Sequence, residues 1–508
     1  MKISRRYAAL TTLIGSSANT FIVSIQAVVL IPLYLHAIGP HLYGAWLASG
    51  DILVWLQTFD LGLPNLMIQR IGAAYGRGES RVAIEYFATG MLVMTAIASL
   101  IGASAVAVSP YISSLMGLTG AEAKLLQNCF TVSAITAALN LFSNGIVGFS
   151  RGIQDTKFLN SVTVVASVLG FGVSLFLVLA GAGLWAVAFG HVTRNVTVFV
   201  GCIFFAISSL RSGLYRYFCP RREMLHEFST ILPVTALGGI GYALMNQSES
   251  AVVAIFLKPE LATVLTLNRK VIEVGRGLID IIAFATYGGF AHLIASDQRH
   301  RVLHVHAEVT ALRLSLAILA ASAYMAINHS LINVWIGSSE YGGPLLTILI
   351  ALQFLVVGGS FLMNYLYRAL GPVMQGSIAL LAESVVRVPL MIGLVKWLGL
   401  PGIPLAGIIT GGFFIILAYR WTIGEVSQFS DPYPRTSIHV WCARIAVFFV
   451  GMLICVFVQW NSWIFVGFVG SAMLAFGGAI LLSSDPLLNS VREPLLSFFA
   501  KMRTLVVR

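Results

Sequence analysis

Charged residues are scarce in this chain: Asp, Glu, Lys and Arg together make up only 10% of 508 positions. Soluble domains carry about 25% charged residues, so a chain this poor in charge cannot cover a water-facing surface. Hydrophobic residues account for 58%, and the mean hydropathy is +0.88. A single soluble core stops growing near about 250–300 residues, so one buried core does not explain the composition either. The scarcity of charge therefore predicts a membrane protein.

Cysteine is also rare, and its placement argues against two kinds of site. The five cysteines lie mostly within or beside apolar stretches and form no CxxC pair, so we expect neither a disulfide nor a zinc site. His300, His304 and His306 alternate with arginines in a short gap, which favours a solvated loop over a metal site. No P-loop and no Ser/His/Asp order is present. We predict no metal, no cofactor and no enzymatic activity.

Apolar stretches of about 20 residues recur along the whole chain, and each is long enough for a helix to cross a hydrocarbon layer of about 30 Å. The predicted fold is an all-α polytopic membrane protein with about fourteen transmembrane helices. The predicted spans are 10–35, 42–68, 82–108, 125–148, 158–179, 184–208, 229–257, 262–290, 308–328, 344–367, 376–396, 402–419, 440–459 and 464–483.

The basic residues fall almost entirely on one side of this topology. Alternating the gaps between spans places 21 Lys and Arg on one side and only Lys124, Lys258 and Lys396 on the other. Because positive charge accumulates on the cytoplasmic side, both termini are predicted in the cytoplasm of a bacterial inner (plasma) membrane. The net charge of +11 then reflects orientation and contact with membrane lipids, and we expect no nucleic-acid partner.

Weak internal matches near one offset indicate a duplicated six-helix unit. Pro40-His-Leu and Pro259-Glu-Leu are 219 apart, as are Gly183-Leu and Gly402-Ile; two post-helix Arg motifs are 217 apart. Six spans return the chain to the same side, so the repeats are predicted to be parallel. The predicted organisation is an N-terminal lobe (1–208), a cytoplasmic linker (209–228), a C-terminal lobe (229–421) and two peripheral spans with a cytoplasmic tail (422–508).

Span eight carries the strongest polar signal. Arg269, Glu273, Arg276 and Asp280 follow i, i+4, i+7, i+11 spacing, which confines them to an arc of about 60° on a helix, with Lys270 beside them. Charges at bilayer depth are expensive and usually face a protein interior or a wet cavity. The stripe therefore favours a binding space, although alternating signs could also form a self-neutralising ladder that only locks two helices.

Other spans supply further polar residues toward the same predicted space. Arginine binds phosphate groups bidentately, and amides offer hydrogen bonds to sugars, so both types are candidates for substrate contact. The substrate-binding candidates are Arg194, Arg269, Lys270, Arg276, Asn140, Asn246 and Asn364. The coupling or gating candidates are the carboxylates Asp51, Asp60, Glu249, Glu273 and Asp280.

Three short segments resemble a known family. Residues 31–39 (IPLYLHAIG), 43–46 (YGAW) and 60–63 (DLGL) are similar to the start of the polysaccharide transporters, the O-antigen and exopolysaccharide flippases of the multidrug/oligosaccharidyl-lipid/polysaccharide exporter superfamily. The loop at 151–156 (RGIQDT) and the pattern at 183–186 also resemble segments of this superfamily. The motifs cover mainly residues 25–80 and 145–190.

The resemblance implies two six-helix lobes around a V-shaped cavity that opens alternately to each face. It also implies a flippase that moves undecaprenyl-diphosphate-linked oligosaccharide across the inner membrane for surface polysaccharide assembly. A polysaccharide polymerase and export machinery would be further partners. Relatives often carry an aspartate within the stretch 246–250, where this chain has Glu249.

Two other functions stay open. An ion-coupled multidrug or organic-cation antiporter of the same superfamily would want a net acidic, aromatic-lined site, and the charges within the spans are nearly balanced. A membrane-embedded glycan polymerase or acyltransferase usually needs large outer loops, whereas the longest outer gaps here, 109–124 and 329–343, are short and lack paired carboxylates.

Overall fold

All regular structure in the described part of the chain is helical. The computed structural model describes residues 5–58, 61–210, 214–295, 299–427, 431–434, 436–489 and 492–493, which form fifteen α-helices and four short 3-10 turns. The predicted all-α fold is confirmed. The predicted positions of the two chain ends lie partly outside these residues, as does Asp60.

The chain divides into two compact units, Met1–Thr263 and Val264–Arg508. The helices of the first unit are α1 (Arg5–Thr58), α2 (Leu63–Gly76), α3 (Ser80–Leu115), α4 (Gly120–Gly152), α5 (Lys157–Leu179), α6 (Leu184–Leu210), α7 (Arg222–Asn246) and α8 (Glu249–Phe256). Helix α9 (Pro259–Ala295) begins in the first unit and continues into the second. The second unit adds α10 (Val302–Trp335), α11 (Gly343–Ala369), α12 (Val373–Leu398), α13 (Gly402–Val426), α14 (Ile438–Phe457) and α15 (Trp463–Ser484).

The described residues contain eleven helices long and apolar enough to cross a membrane, or twelve if the bent α7 counts as one span. Two features account for the difference from fourteen. The predicted first and second spans run together as α1, which is broken at Gly39, and α9 carries the charged stripe that lowers its hydropathy. Each predicted span thus has a helical counterpart, and the chain is a multi-pass membrane protein.

The break in α1 has a local cause. Gly39 has φ of 73°, a left-handed conformation that glycine adopts without a steric penalty, and proline follows it at position 40. Proline has no amide hydrogen and clashes with the preceding turn, so the first helical segment ends there and a second begins. The sequence boundary predicted between spans one and two coincides with this break.

Helices that correspond at the repeat offset end and begin at equivalent residues. Helix α4 ends at Gly152 and α11 at Ala369, while α6 begins directly after Gly183 and α13 begins at Gly402. Equivalent residues also meet in space: His41 Nδ1 lies 2.7 Å from Glu260 Oε1, and their separation along the chain is the repeat offset of 219.

In the first unit, an apolar core holds α2, α3, α4 and α6 together. Leu63, Met67 and Ile71 of α2 are fully buried, and the rings of Phe87 and Phe149 stack with centroids 4.1 Å apart. The segment before α7 is fastened to the same unit, because Arg221 Nη2 donates to Glu85 Oε1 over 2.7 Å. Helix α7 begins at Arg222, six residues before the predicted end of the linker.

In the second unit, α14 and α15 pack along α10. The contact is close, since a Cβ on Gly451 of α14 would lie 2.6 Å from the backbone of Ser322. A buried ion pair joins Arg444 Nη2 to Asp485 Oδ2 at 2.7 Å. Large apolar side chains such as Phe468 and Phe476 are exposed on the other side of α15, as expected for a lipid-facing helix.

Candidate functional site

The charged stripe of α9 forms ion pairs along its own helix. Arg269 Nη2 lies 3.3 Å from Glu273 Oε1, and Lys270 Nζ lies 4.0 Å from the other oxygen of Glu273. About two turns further on, Arg276 Nε lies 3.3 Å from Asp280 Oδ2. These are the i, i+3 and i, i+4 neighbours that the sequence spacing predicts. The alternating charges of the stripe therefore form ion pairs along their own helix. Whether the positive charge is fully neutralised depends on the other charged groups of the second unit.

The start of the stripe is held by a buried amide. Asn268 is fully buried, and its side chain donates to the carbonyl of Glu340 over 2.8 Å, while its Oδ1 accepts from Asn328 at 3.2 Å. Tyr324 donates to the Asn268 carbonyl over 2.9 Å. This network joins α9 to α10 and to the connection before α11. Because Asn268 is fixed, the direction of the next residue, Arg269, is fixed as well.

A cleft separates the stripe from α11. Arg269, Glu273 and Arg276 line it from α9, and Gln353 and Gly358 line it from α11, with apolar residues completing the walls. Its cavity volume is about 30 Å³, which is room for only one or two water molecules. A few convergent polar groups in an otherwise apolar lining are the usual make-up of a binding site, although this cleft is much smaller than a typical ligand pocket.

Behind this cleft lies an arginine that the sequence analysis did not identify. Arg313 of α10 is 3% exposed, and its Nη1 donates to the Leu355 carbonyl over 3.4 Å. Its Nε and Nη2 have no hydrogen-bond partner, and no carboxylate lies within ion-pair distance among the described residues. A buried charge without a partner is costly, so such a group requires an explanation.

A second polar group lies between α11 and α12. Ser360 Oγ donates to Glu383 Oε2 over 3.1 Å, and both Glu383 and Arg387 are 1% exposed. A Cβ on Gly407 of α13 would lie 2.5 Å from Arg387 Nη2 and 2.8 Å from the Gln353 amide, so these two side chains meet over a glycine. Gln353 thereby connects this group to the cleft.

The deeply placed charges of the second unit do not balance. Counting Lys, Arg, Asp and Glu more than two turns from either end of a described helix, the basic residues outnumber the acidic ones by five to three. They are Arg269, Lys270, Arg276, Arg313 and Arg387 against Glu273, Asp280 and Glu383. The excess of two positive charges favours an anion in this unit.

Asp51, a predicted coupling residue, caps a helix in the first unit. Its Oδ2 accepts from the backbone amides of Ser250 at 2.9 Å and Ala251 at 3.2 Å, at the start of α8. The first amides of a helix have no partner within the helix, and a carboxylate there satisfies them and complements the helix dipole. Glu249, the first residue of α8, is 2% exposed beside this cap.

The remaining predicted residues of the first unit do not gather at one point. Arg194 of α6 packs against α5, where a Cβ on Gly170 would lie 3.2 Å from Arg194 Cβ. Asn140 is half-buried on α4, and Asn246 at the end of α7 donates to the Tyr242 carbonyl over 2.8 Å. The coupling role predicted for Asp60 falls outside the described residues.

Asn364, predicted to bind substrate, joins two helices. Its amide donates to the Gly376 carbonyl over 2.9 Å, which ties α11 to α12. Arg313 is the residue that sequence reasoning missed. The available signal was a single arginine inside an apolar span, which is expensive on its own; the partners it lacks could be seen only in the structure.

Comparisons with known proteins agree with this fold. The family model described as MatE matches residues 19–176, and no curated protein sequence matches the chain significantly. The solved structures that resemble the chain include the lipid II flippase MurJ in an inward closed conformation, with 11% identity and a TM-score of 0.62 over 94% of this chain and 98% of that one.

Two further solved structures are of MOP superfamily transporters. An outward-facing multidrug resistance MATE family transporter of the MOP superfamily has 16% identity and a TM-score of 0.57, over 83% of this chain and 95% of that one. A MOP superfamily transporter from Pyrococcus furiosus, described as having a binding pocket of reverse polarity, has 16% identity and a TM-score of 0.54 over 83% and 93%. The chain therefore has the fold of these MATE-like transporters.

Proposed function

We propose that this protein is a flippase that moves a diphosphate-linked lipid oligosaccharide across a bacterial inner membrane by alternating access. The anionic head group would bind in the second unit while the prenyl tail stays in the lipid. Unaided passage of such a charged, hydroxyl-rich head through hydrocarbon would be prohibitive, because each buried polar group without a partner costs several kcal/mol.

The observation that carries this proposal is the uncompensated positive charge of the second unit. Arginine binds phosphate oxygens in a bidentate manner, and both Arg269 and Arg276 line the α9–α11 cleft. Gln353 adds an amide that can hydrogen-bond to a sugar or a phosphate. The likeness of the fold to that of the lipid II flippase is in keeping with a lipid-linked substrate.

A multidrug antiporter is the second candidate, and the MatE match over 19–176 favours it. A cationic drug would be repelled by the net charge of the α9–α12 groups, since like charges at close range cost several kcal/mol. The two candidates therefore differ in the sign of the charge that the second unit should bind.

The proposal includes an orientation with both termini in the cytoplasm. It rests on the 21-to-3 distribution of basic residues between the two sides. Reporters fused after Pro40 and Ser338 should report a periplasmic position, and reporters after Gly78 and Arg508 a cytoplasmic one. A periplasmic reporter signal at the C-terminus would contradict the orientation.

Leaflet-resolved labelling of the lipid-linked glycan in a deletion strain tests the function directly. A flippase makes no covalent bond, so its loss should leave the glycan complete but confined to the cytoplasmic leaflet. Loss of a polymerase would instead leave single repeat units on the outer leaflet, and loss of an antiporter would sensitise cells to cationic dyes. Normal arrival of the glycan at the outer leaflet, in a strain without a redundant flippase, would refute the proposal.

A further inference from the structure

We infer that Arg313, which lies against Gly358 behind the α9–α11 cleft, makes this cleft an anion subsite for a phosphate-type oxyanion. The ligand could be the diphosphate of a lipid carrier or free phosphate, which present the same oxygens. The inference rests on the proposed function, because it names the part of the second unit that would hold the anionic head group.

The first observation is the state of the Arg313 side chain. It is 3% exposed, yet two of its guanidinium nitrogens have no hydrogen-bond partner and its one bond is a long 3.4 Å contact to a carbonyl. Buried arginines normally form most of their hydrogen bonds, because the guanidinium offers five donors and cannot lose its proton. A guanidinium with unused N–H donors next to a cleft can donate hydrogen bonds to an acceptor on a bound ligand.

The second observation explains how Arg313 reaches the cleft from α10. Gly358 lines the cleft, and Arg313 Nη2 occupies the space where the Cβ of any other residue at 358 would stand. The absence of a side chain at this position lets the guanidinium approach the backbone of α11 from behind. Glycine is therefore required by the close approach of the charge.

The third observation is the local balance of charge. Arg313 interacts electrostatically with both Arg276 and Asp280, but Asp280 is already the ion-pair partner of Arg276. Glu273 is likewise shared by Arg269 and Lys270. Asp280 is thus shared by Arg276 and Arg313. An anion in the cleft would add negative charge at close range, where the effective dielectric is low.

The chemistry of the donors selects the class of ligand. Arg269, Arg276 and Arg313 present planar donor pairs from two helices, and such pairs match the oxygens of a phosphate. A diphosphate carries at least two negative charges and can accept from more than one guanidinium at once. A cation would meet the same charges with repulsion, so the subsite discriminates by sign as well as by shape.

The test compares four variants of the full chain in lipid nanodiscs. Arg313→Gln removes the charge. Arg313→Lys keeps the charge but lacks the paired N–H donors of the guanidinium. Gly358→Ala keeps the arginine and displaces its guanidinium, because the new methyl would overlap Nη2. Gly393→Ala on α12 is the matched control, since its Cβ would meet nothing within 4 Å.

Two probes separate the possible sources of the oxyanion. Inorganic pyrophosphate is titrated by calorimetry, and polyprenyl diphosphate in the nanodisc is assayed against polyprenol by the shift in thermal unfolding. We expect the wild type and Gly393→Ala to bind the diphosphates equally. Arg313→Gln and Gly358→Ala should weaken binding about tenfold to a hundredfold, with Arg313→Lys in between.

The possible outcomes distinguish failure of the subsite from failure of the proposed function. Binding of polyprenyl diphosphate by the wild type, unchanged in Arg313→Gln and Gly358→Ala, would overturn the subsite and leave the proposed function standing. A wild type that binds neither probe would overturn both. Binding of pyrophosphate with no preference for polyprenyl diphosphate over polyprenol would support the anion subsite and count against the lipid substrate. Thermal unfolding of each variant without ligand shows that the fold is retained.

Discussion

The two compact units of this protein bury polar groups in different ways. By the same criterion of more than two turns from a helix end, the described helices of the first unit hold one charged residue, Arg194, and those of the second unit hold eight. The first unit relies on neutral contacts: Ser167 Oγ donates to Asn19 Oδ1 over 2.6 Å, and Ser174 Oγ donates to the Ala186 carbonyl over 2.9 Å. Away from its helix ends the second unit also contains ion pairs, such as that of Arg276 with Asp280, whereas the ion pairs of the first unit lie near helix ends.

This difference indicates where a charged head group can bind. Neutral hydrogen-bonded pairs satisfy one another at little electrostatic cost, and they offer no net field to an anion. Unbalanced charges are expensive to bury, and under the proposed function the anionic head group would offset them. The predictions below test whether each charge of the second unit stabilises helix packing or binds a ligand.

The largest expected effect concerns the buried Arg444–Asp485 ion pair between α14 and the turn after α15. Arg444→Met would leave Asp485 buried without its partner, and breaking such a pair costs about 3–5 kcal/mol. We expect a marked fall in the thermal unfolding temperature of the purified protein. The double variant Arg444→Met/Asp485→Asn should recover most of the loss, because no buried charge remains. A double variant as unstable as the single one would show that the pair is not what holds these elements.

Next in size are the arginines that line the cleft. Arg276→Ala and Arg269→Ala should each reduce the rate of glycan translocation about tenfold or more, since a hydrogen bond to a charged group contributes about 1.5–3 kcal/mol. Arg194→Ala in the first unit should reduce it less. Leaflet-resolved labelling in cells that depend on the protein measures the rate.

Two results would change this assignment. Recovery of transport in the double variant Arg276→Ala/Asp280→Ala would show that the pair only neutralises itself. A greater loss in Arg194→Ala than in Arg276→Ala would move the anion site to the first unit and reverse the comparison.

A smaller effect is expected at the cap of α8. Asp51→Ala should lower stability by about 0.5–2 kcal/mol, the usual value of an N-terminal cap, while Asp51→Asn should lower it little because asparagine caps equally well. Thermal unfolding of the two variants measures this difference. The coupling role predicted for Asp51 has a separate readout: transport in Asp51→Asn should lose its dependence on an ion gradient if the carboxylate carries the ion.

The smallest effect concerns the contact between the equivalent residues His41 and Glu260. Burial raises the pKa of Glu260, but hydrogen bonds from its own backbone and from His41 outweigh this and lower the pKa below the ordinary 4.5. A lowered pKa in the folded protein means that the contribution is present above the ordinary glutamate value and is lost as pH falls through the folded value. Both side chains are about two-fifths exposed, so the contribution should stay below about 1 kcal/mol.

The measurement is the unfolding temperature of Glu260→Gln and wild type between pH 3 and pH 7. The two curves should differ slightly at neutral pH and converge in acid. Glu79→Gln is the control at a loop ion pair, because the hydrogen bond and charge of Arg77 lower the pKa of Glu79. A gap that widens as the pH falls would contradict the sign of the shift.

Much of the fold could be read from the order of residues alone. A span is a local property, since about 20 apolar residues suffice for it wherever it packs. The stripe on α9 was equally local, because helical periodicity places positions 269, 273, 276 and 280 on one face. Both of these predictions have counterparts in the structure, down to the i, i+4 ion pairs.

Only the tertiary structure decided which contacts each polar residue makes. Asp51 and Asn364 have residue types suited to binding, but Asp51 caps α8 and Asn364 ties α11 to α12. The surroundings of the Arg313 guanidinium likewise depend on α10 and α11 meeting beside Gly358. Sequence determines where charge lies along a helix, whereas the energy of that charge depends on neighbours distant in the chain, and this is why the fold was predictable and the position of Arg313 was not.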